Sequence, residues 1–249
     1  MNKFGAVIVS RMSSSRLPGK AGLKIEGKET VTHVIDRIKK CRNLDEIVLA
    51  TSENTEDDIL EDIGIREGIS VYRGSLQDVA VRMRDACREF QIDNIVRITA
   101  DDLVRDDVMI DRGIGLFSKG DADSLVMKNM PYGTATEIFT LKALERIIDD
   151  AADAANTGFM EYYLENSKYF NVKTLSSDYH FDKNIRMTLD YKEDLFFFER
   201  LFKILGEQGI YSLSAILDYL KSDLQLVAIN SHKTMDYDAS EKDWTLISR

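Results

Sequence analysis

The sequence lacks long apolar runs, has few cysteines and shows no apolar leader. No stretch approaches the ~20 apolar residues that a membrane-spanning helix needs, and the first residues do not form the apolar core of a secretory signal. The two cysteines, Cys41 and Cys87, lie far apart, which argues against a disulfide framework or a cysteine metal site. We therefore expect a cytoplasmic protein with no membrane partner.

Charge excludes a further class of partner. The chain has 43 acidic and 33 basic residues, and hence a formal net charge of −10, whereas nucleic-acid binding requires a broad basic face. We expect no nucleic-acid partner, so any anion site must be local. No Gly-x-Gly-x-x-Gly follows the first predicted strand, and a nicotinamide-dinucleotide site thus lacks its fingerprint. The histidines do not have the sequence spacing of metal ligands; they are His33, His180 and His232.

A local basic segment follows the first predicted strand. Phe4 to Val9 is short and β-branched, as expected for a buried strand. From Arg11 to Lys24 there are four basic residues and no acidic one, around a Pro-Gly turn. Hydroxyls, free loop N–H groups and cations at one turn form a site for a polyanion, most simply a triphosphate; the alternative is a solvated basic loop. The side chains concerned are Arg11, Ser13, Ser14, Ser15, Arg16 and Lys20.

The order of the predicted elements indicates the fold class. Apolar periodicity alternates between short strands and amphipathic helices, which is typical of a parallel sheet covered by helices on both faces. We predict a three-layer α/β/α sandwich with a mostly parallel, Rossmann-like sheet, formed by one domain (residues 1–249) with a small dimerisation excursion near 130–180. We therefore expect a homodimer. Predicted strands are 4–9, 46–50, 69–72, 95–99, 122–127, 136–140 and 226–229. Predicted helices are 31–41, 55–63, 76–90, 107–119, 141–154, a helix ending at 205, and 211–220.

The basic segment also carries a resemblance to a known family. Residues 11–20 read Arg-x-x-Ser-x-Arg-Leu-Pro-Gly-Lys, which resembles the signature of the sugar-acid cytidylyltransferases. That family includes the CMP-Kdo and CMP-sialic acid synthetases, and the resemblance is closest to its SpsF-like (spore coat polysaccharide biosynthesis) branch. It implies that the loop holds the triphosphate of CTP. It also implies a nucleotidyltransferase that transfers CMP to an acceptor and releases pyrophosphate.

Asp101 follows the strand 95–99 and is a candidate metal ligand. A carboxylate at the carboxyl end of a central strand shares the sheet edge with the basic loop. Magnesium commonly takes one or two protein carboxylates together with phosphate oxygens and water. The alternative is that Asp101 or Asp102 caps the next helix, and we assign that role to Asp102. The family pattern Arg-Ile-Thr-Gly-Asp is matched here except that Ala100 replaces the glycine.

Asp190 is the expected partner of Asp101. The segment 185–190 resembles the family's Arg-Leu-Thr-x-Asp, and the resemblance implies that this aspartate shares Mg²⁺ with Asp101. The predicted catalytic residues are therefore Arg11, Arg16, Lys20, Asp101 and Asp190.

Further nucleotide contacts are predicted at two strand ends. Thr51 and Ser52 follow the second strand, where α/β sheets present ligand contacts. The phrase GSLQDVAVR, which follows Arg73, resembles a family segment beside the cytidine and implies contacts from Arg73, Ser75 and Asp78. The open alternative is a capped helix with Ser75 at the N-cap and Asp78 at N3.

The acceptor side differs from the family pattern. The resemblance implies that Glu137 and Tyr162 contact the acceptor, although a solvated Glu137 and an aromatic cluster that packs the core or a homodimer are open alternatives. Where the SpsF-like branch has Arg-Glu-His, residues 156–158 are Asn-Thr-Gly. This loss favours a phosphorylated small acceptor, such as a phosphoamino acid like glutamine phosphate, for capsule modification. A Kdo or nonulosonate sugar acid, or a non-catalytic nucleotide-binding protein, is the alternative.

Overall fold

The computed structural model describes residues 2–151, 160–209 and 211–233. Within these ranges the chain forms a seven-stranded sheet and a separate two-stranded hairpin. Short β-branched runs form the central strands because such residues fill a sheet that is buried on both faces. The strands are β1 (Phe4–Val9), β2 (Lys24–Ile25), β3 (Lys28–Glu29), β4 (Glu46–Ser52), β5 (Ser70–Gly74), β6 (Asn94–Thr99), β7 (Ser124–Lys128), β8 (Glu137–Thr140) and β9 (Val172–Ser176).

The large sheet has the strand order β5-β4-β1-β6-β8-β7-β9. The pairings β5–β4, β4–β1, β1–β6 and β7–β9 are parallel, whereas β8 runs antiparallel to β6 and β7. The predicted mostly parallel sheet is therefore confirmed. The chain passes from β1 to β4 and β5 and then returns to form β6 on the other side of β1. This reversal creates a crevice at the carboxyl ends of β1 and β6, the usual ligand position in such sheets.

Helices cover both faces of the sheet, and the predicted α/β/α architecture is confirmed. In β1, Ala6 and Ile8 belong to one buried cluster and Val7 belongs to the other, because successive side chains of a strand point to opposite faces. The helices in the described ranges are α1 (Thr30–Ile38), α2 (Asp58–Arg66), α3 (Val79–Glu89), α4 (Asp107–Phe117), α5 (Leu141–Asp150), α6 (Met160–Leu164), α7 (Lys192–Gln208), α8 (Leu213–Ser222) and α9 (Leu224–Val227).

The strand predicted at 226–229 is wrong, because this segment contains the end of helix α9. The Asp223 side chain accepts a hydrogen bond from the Leu226 N–H at 3.0 Å and so caps the helix. Leu226 and Val227 are buried in the core on the side of α1 and α7. A run of four apolar residues has no periodicity that separates helix from strand, and here the cap and the packing favour helix.

Two helices have other N-caps than predicted. Asp78, not Ser75, is the N-cap of α3, and its Oδ1 accepts from the Val81 N–H at 2.9 Å. Helix α4 is capped by Asp106, which accepts from the N–H groups of Val108 and Met109. The prediction that Asp102 caps this helix is therefore wrong. Each cap lies one residue before its helix, where the first backbone N–H groups lack partners inside the helix.

Several predictions fall outside the described residues. These are residues 152–154 of the helix predicted at 141–154, the Asn156-Thr157-Gly158 segment, and the part of the predicted domain from 234 onward; α5 itself ends at Asp150. The excursion near 130–180 contains β8, α5, α6 and β9, and its role in a dimer remains a prediction. Among the described elements, no helix combines the length and apolar content required to cross a bilayer.

Candidate active site

The basic loop is fixed to the sheet by a buried carboxylate. Asp57 is 1% exposed, and its Oδ1 accepts a hydrogen bond from the Met12 N–H at 2.6 Å. Its Oδ2 accepts from the Ser52 N–H at 3.2 Å and from the Ser52 hydroxyl. One side chain thus joins the end of β4 to the start of the loop after β1. The loop therefore begins from a fixed point at the crevice.

A turn then directs Lys20 back over the sheet edge. Gly19 has a φ of +71°, a conformation that glycine adopts at little cost, and its N–H donates to the Met12 carbonyl at 3.0 Å. Leu17 is buried in the core. The Pro-Gly turn predicted from the sequence thus closes a compact loop whose last residue, Lys20, points into the crevice.

Lys20 lies between the two aspartates that the sequence predicted to be partners. Its Nζ donates to Asp101 Oδ2 at 2.7 Å, to Asp190 Oδ1 at 2.9 Å and to the Leu189 carbonyl at 2.9 Å. An ammonium group has three donors, and all three have acceptors here. Burial lowers the pKa of Lys20, but Asp101 and Asp190 outweigh this effect and the pKa is raised. Lys20 is therefore held as a cation.

Asp190 is the more enclosed of the two aspartates. Arg16 donates to its Oδ1 at 2.7 Å and Arg186 donates to its Oδ2 at 3.1 Å, in addition to the contact with Lys20. Burial acts to raise the pKa of Asp190, but Lys20 and Arg16 more than offset it and the pKa is lowered. Asp194 in turn accepts from Arg186 at 2.9 Å and from the Asp190 N–H at 2.9 Å. The Asp190 carboxylate is thus ionised and fixed in place.

Two cavities meet at this cluster. The first, here called the loop cavity, has a volume of about 420 Å³ and is lined by the basic loop, the ends of β1 and β6, and α3. The second, here called the rear cavity, has a volume of about 430 Å³ and lies on the side of β8 and α6. The residues shared by both linings are Arg16, Arg97, Thr99 and Asp101. Two ligands could therefore meet at Asp101.

The rear cavity is lined by paired charges. Arg97 Nη1 contacts the carboxylates of Glu137 and Glu161, both at 3.2 Å. Burial acts to lower the pKa of Arg97, but these carboxylates outweigh it and the pKa is raised. Arg105 Nη2 contacts Asp102 at 2.5 Å, and burial raises the pKa of Asp102 to about 6 despite this arginine. The lining contains three arginines and five carboxylates, so it is acidic overall.

A family model described as cytidylyltransferase matches residues 6–223. The chain belongs to the cytidylyltransferase family. Membership makes this cytidylyltransferase a nucleotidyl-transferring enzyme and confirms the resemblance noted in its sequence. It is 30% identical to an uncharacterised protein of Methanocaldococcus jannaschii, over 92% of this chain and 95% of the relative. It is 27% identical to the spore coat polysaccharide biosynthesis protein SpsF of Bacillus subtilis, over 88% of this chain and 95% of the relative.

Solved structures agree with this assignment. A cytidylyltransferase from Leptospira borgpetersenii superposes with a TM-score of 0.82 at 26% identity, covering 95% of this chain and all of the other. A CMP-2-keto-3-deoxy-manno-octonic acid synthetase complexed with CTP superposes with a TM-score of 0.63 at 14% identity, covering 83% of this chain and all of the other. The second likeness concerns the fold alone.

All five predicted catalytic residues of this cytidylyltransferase line one or both of the two cavities. The side chains of the predicted triphosphate loop line the loop cavity, and Asp190 lines the rear cavity. Asp101 lies in the wall common to both. The members of the loop cavity that the sequence predicted are Arg11, Ser13, Ser14, Ser15, Arg16, Lys20 and Asp101.

Other predicted nucleotide contacts lie away from the loop cavity. Thr51 and Ser52 are fully buried beneath the loop, and Ser52 contacts Asp57. Arg73 donates to the carbonyls of Ser52 and Asn54 and contacts the carboxylates of Asp58 and Glu61. These residues do not line the cavity, because their side chains are engaged in joining β4, β5 and α2.

Ser75 and Asp78 are likewise structural in this arrangement. The Ser75 hydroxyl accepts from the Asp78 N–H at 3.1 Å, and Asp78 caps α3. Neither residue is in the lining of the loop cavity. The structure shows the capped helix, with Asp78 rather than Ser75 at the N-cap; the contacts of both residues with the nucleotide remain predictions.

The predicted acceptor contacts have different outcomes. Glu137 lines the rear cavity as part of the pair with Arg97. Tyr162 lies in α6 and does not line the rear cavity, whereas its neighbour Tyr163 is fully buried. Glu137 thus lies in the wall of the rear cavity and Tyr162 does not, and the acceptor contacts of both remain predictions.

Some residues of the site were not predicted as functional. Arg97 and Glu161 form the back of the rear cavity, and Arg82 lines the loop cavity from α3. A charged residue inside the apolar strand Ile95 to Thr99 was a detectable signal for Arg97, because a buried charge requires partners. Glu161 carried no comparable signal, since its pairing depends on how α6 packs against β6.

Proposed function

We propose that this cytidylyltransferase transfers CMP from CTP to a small acceptor in surface polysaccharide or capsule biosynthesis and releases pyrophosphate. The observation that carries the proposal is the cluster at Lys20, where two cavities share a wall that contains Asp101. CTP would occupy the loop cavity and the acceptor would occupy the rear cavity. The name of the SpsF relative supports the polysaccharide context.

The chemistry of Asp101 and Asp190 suits a divalent cation. Both are hard oxygen donors, and one ammonium already lies between them at 2.7 and 2.9 Å. The described residues contain no group of three potential metal ligands, but magnesium bound with a nucleotide requires only one or two carboxylates. When bound there, Mg²⁺ would neutralise charge that develops on the α-phosphate.

The residues of the chain would act by positioning and by charge. Arg11, Arg16 and Lys20 would hold the β- and γ-phosphates, which orients the α-phosphorus toward the rear cavity. An acceptor oxygen would attack that phosphorus in line. The bond to the bridging oxygen would break, and pyrophosphate would leave with the electron pair of that bond. For Lys20 to reach a phosphate, its ammonium must leave at least part of its contact with Asp101 and Asp190.

For the acceptor we propose a phosphorylated small molecule, such as a phosphoamino acid like glutamine phosphate, which would give a CDP-linked product. The Asn-Thr-Gly sequence at residues 156–158 supports it, since the charged residues of the SpsF-like branch are absent there. The five carboxylates of the rear cavity would repel an unaccompanied anion, so such an acceptor would bind with a cation present. An ammonium group on the acceptor would also suit this lining.

A sugar acid of the Kdo or nonulosonate type is the second candidate acceptor. It is supported by relatives named 3-deoxy-manno-octulosonate cytidylyltransferase, one of which is 24% identical over 61% of this chain. A non-catalytic nucleotide-binding protein is the alternative to both. The retention of Asp101 and Asp190 beside a basic loop speaks against it, because binding alone would not require two carboxylates next to a polyanion.

Two measurements test the proposal. Thermal stabilisation should be larger with CTP and Mg²⁺ than with ATP, GTP or NAD, because a ligand stabilises the native state in proportion to its affinity. Pyrophosphate release should then be measured with CTP and a panel of phosphoamino acids and sugar acids. A larger shift with another nucleotide would refute the assignment to CTP. Binding of CTP without turnover on either acceptor class would favour the non-catalytic alternative.

A further inference from the structure

Arg82 is a buried arginine without a carboxylate partner. It lies in the second turn of α3 and is 2% exposed. Its Nη1 donates to the Ser75 carbonyl at 2.5 Å, while its Nε is buried and has no hydrogen-bond partner. Among the ion pairs of the described residues, none involves Arg82, yet the residue lines the loop cavity.

A second cation increases the charge at this wall. Arg11 also lines the loop cavity, and its Nη1 donates to the Leu76 carbonyl at 3.3 Å. Burial lowers the pKa of Arg82, and the positive charge of Arg11 lowers it further; the carboxylates of Asp57 and Asp78 act to raise this pKa but do not offset the other two effects. Both arginines therefore reach the carbonyls of one short segment, residues 75–76, and repel each other there. Such an arrangement is costly without an anion.

The remaining cations of the loop cavity, in contrast, contact protein carboxylates. Lys20 contacts both Asp101 and Asp190, and Arg16 contacts Asp190 at 2.7 Å. Arg97 contacts Glu137 and Glu161. The charge of these three groups is already compensated by protein carboxylates. Within the described part of the lining, the cations that make no ion pair with a carboxylate are thus Arg11 and Arg82.

We propose that Arg82, together with Arg11, binds the phosphate chain of the nucleotide. This inference rests on the proposed function for the identity of the nucleotide, but not for the binding of a polyphosphate. A phosphate oxygen would supply the negative charge and the acceptor that the Arg82 guanidinium lacks. Such charge-assisted hydrogen bonds are among the strong ones. The Arg82 side chain is therefore a nucleotide-binding group rather than a structural one.

The test compares the wild type with Arg82→Met, which keeps the approximate length of the side chain and removes its charge. Affinities for sodium tripolyphosphate, CTP and cytidine are measured by calorimetry in EDTA, so that metal binding plays no part. We expect the dissociation constants of tripolyphosphate and CTP to rise on the order of 10- to 100-fold, and that of cytidine to stay unchanged. The ligand-free melting temperature should not fall, because an unpaired buried charge has been removed.

Arg84→Met is the matched control. Arg84 lies on the same helix but pairs with Asp85, so its loss should leave all three affinities unchanged. Arg82→Lys keeps the charge without the planar fork and should give an intermediate loss; it also serves if Arg82→Met does not fold.

Three outcomes would overturn the proposal: unchanged tripolyphosphate affinity, a loss of cytidine affinity equal to that of CTP, or a lower melting temperature with intact ligand affinity. If tripolyphosphate binding depends on Arg82 but CTP is not preferred over ATP, the proposed function fails and this inference stands.

Discussion

Replacing Asp101 and Asp190 by asparagine separates their predicted catalytic role from their structural one. Asp190 has a 9% exposed side chain and contacts three cations, whereas Asp101 has a 26% exposed side chain and one cation partner. Removing one partner of a buried ion pair costs about 3 kcal/mol or more, but a partly exposed pair contributes about 1 kcal/mol or less. We therefore expect Asp190→Asn to be the more destabilising substitution.

The different loss of stability in Asp190→Asn and Asp101→Asn should be measurable as a difference in melting temperature. For a chain of this size, 1 kcal/mol corresponds to roughly 2–4 °C, so Asp190→Asn should lower the midpoint by about 6–12 °C and Asp101→Asn by no more than about 4 °C. The exposed Asp218, which contacts Lys221 at the surface, supplies a control, and Asp218→Asn should leave the midpoint nearly unchanged.

Turnover should respond differently from stability. Charge stabilisation at a transferring phosphoryl group contributes several kcal/mol, so both single variants should lose turnover by about 10²-fold or more. Because residues that serve one ion act as a unit, the double variant should be little slower than the slower single one. Pyrophosphate release with CTP is the assay. Near-normal turnover in either single variant would remove that aspartate from the site, and equal losses of stability would refute the structural argument.

Three other predictions follow from the same contacts. Arg16→Ala and Lys20→Ala should weaken CTP binding at least about tenfold while leaving CMP binding nearly unchanged, as calorimetry would reveal; an equal loss for CMP would move the loop away from the β- and γ-phosphates. Arg73→Ala should lower the melting temperature but not the affinity for CTP, since Arg73 joins β4, β5 and α2. The pKa of Asp190 is lowered from its ordinary value of 3.8, so its stabilising effect is present above pH 3.8 and is lost as the pH falls below it. Below pH 3.8 the free energy of unfolding should therefore fall less steeply with decreasing pH in Asp190→Asn than in the wild type. The same pH dependence in both proteins would contradict this.

The central fold could be predicted because its signals are local. Runs such as Phe4 to Val9 are short and apolar, and they alternate with amphipathic helices. The error at 226–229 arose where a run was too short to show a period and a neighbouring aspartate determined the helix. The antiparallel placement of β8 depends on long-range pairing with β6 and β7, which no local pattern reports.

In the candidate site, too, features with a local sequence signal could be predicted, and features that depend on long-range contacts could not. The basic loop is contiguous, so its cations and serines could be grouped from the sequence. Asp101 and Asp190 are far apart in the chain, and only the family resemblance paired them. Thr51 and Ser52 lie outside the lining of the loop cavity, because a position at a strand end does not determine the direction of a side chain; their contact with the nucleotide remains a prediction. The homodimer and the cytoplasmic location remain predictions.

The position of Lys20 has a consequence for the order in which ligands bind. Its ammonium already lies between Asp101 and Asp190, so a free divalent ion would have to displace this ammonium from the two carboxylates. On the proposed function a nucleotide would remove this obstacle, since its phosphates would offer Lys20 another anion. Metal and nucleotide should therefore enter together, and Mg²⁺ or EDTA alone should leave the melting temperature of the ligand-free enzyme unchanged. If Lys20 binds the phosphates as proposed, it would thus also keep a metal ion away from Asp101 and Asp190 until the nucleotide arrives.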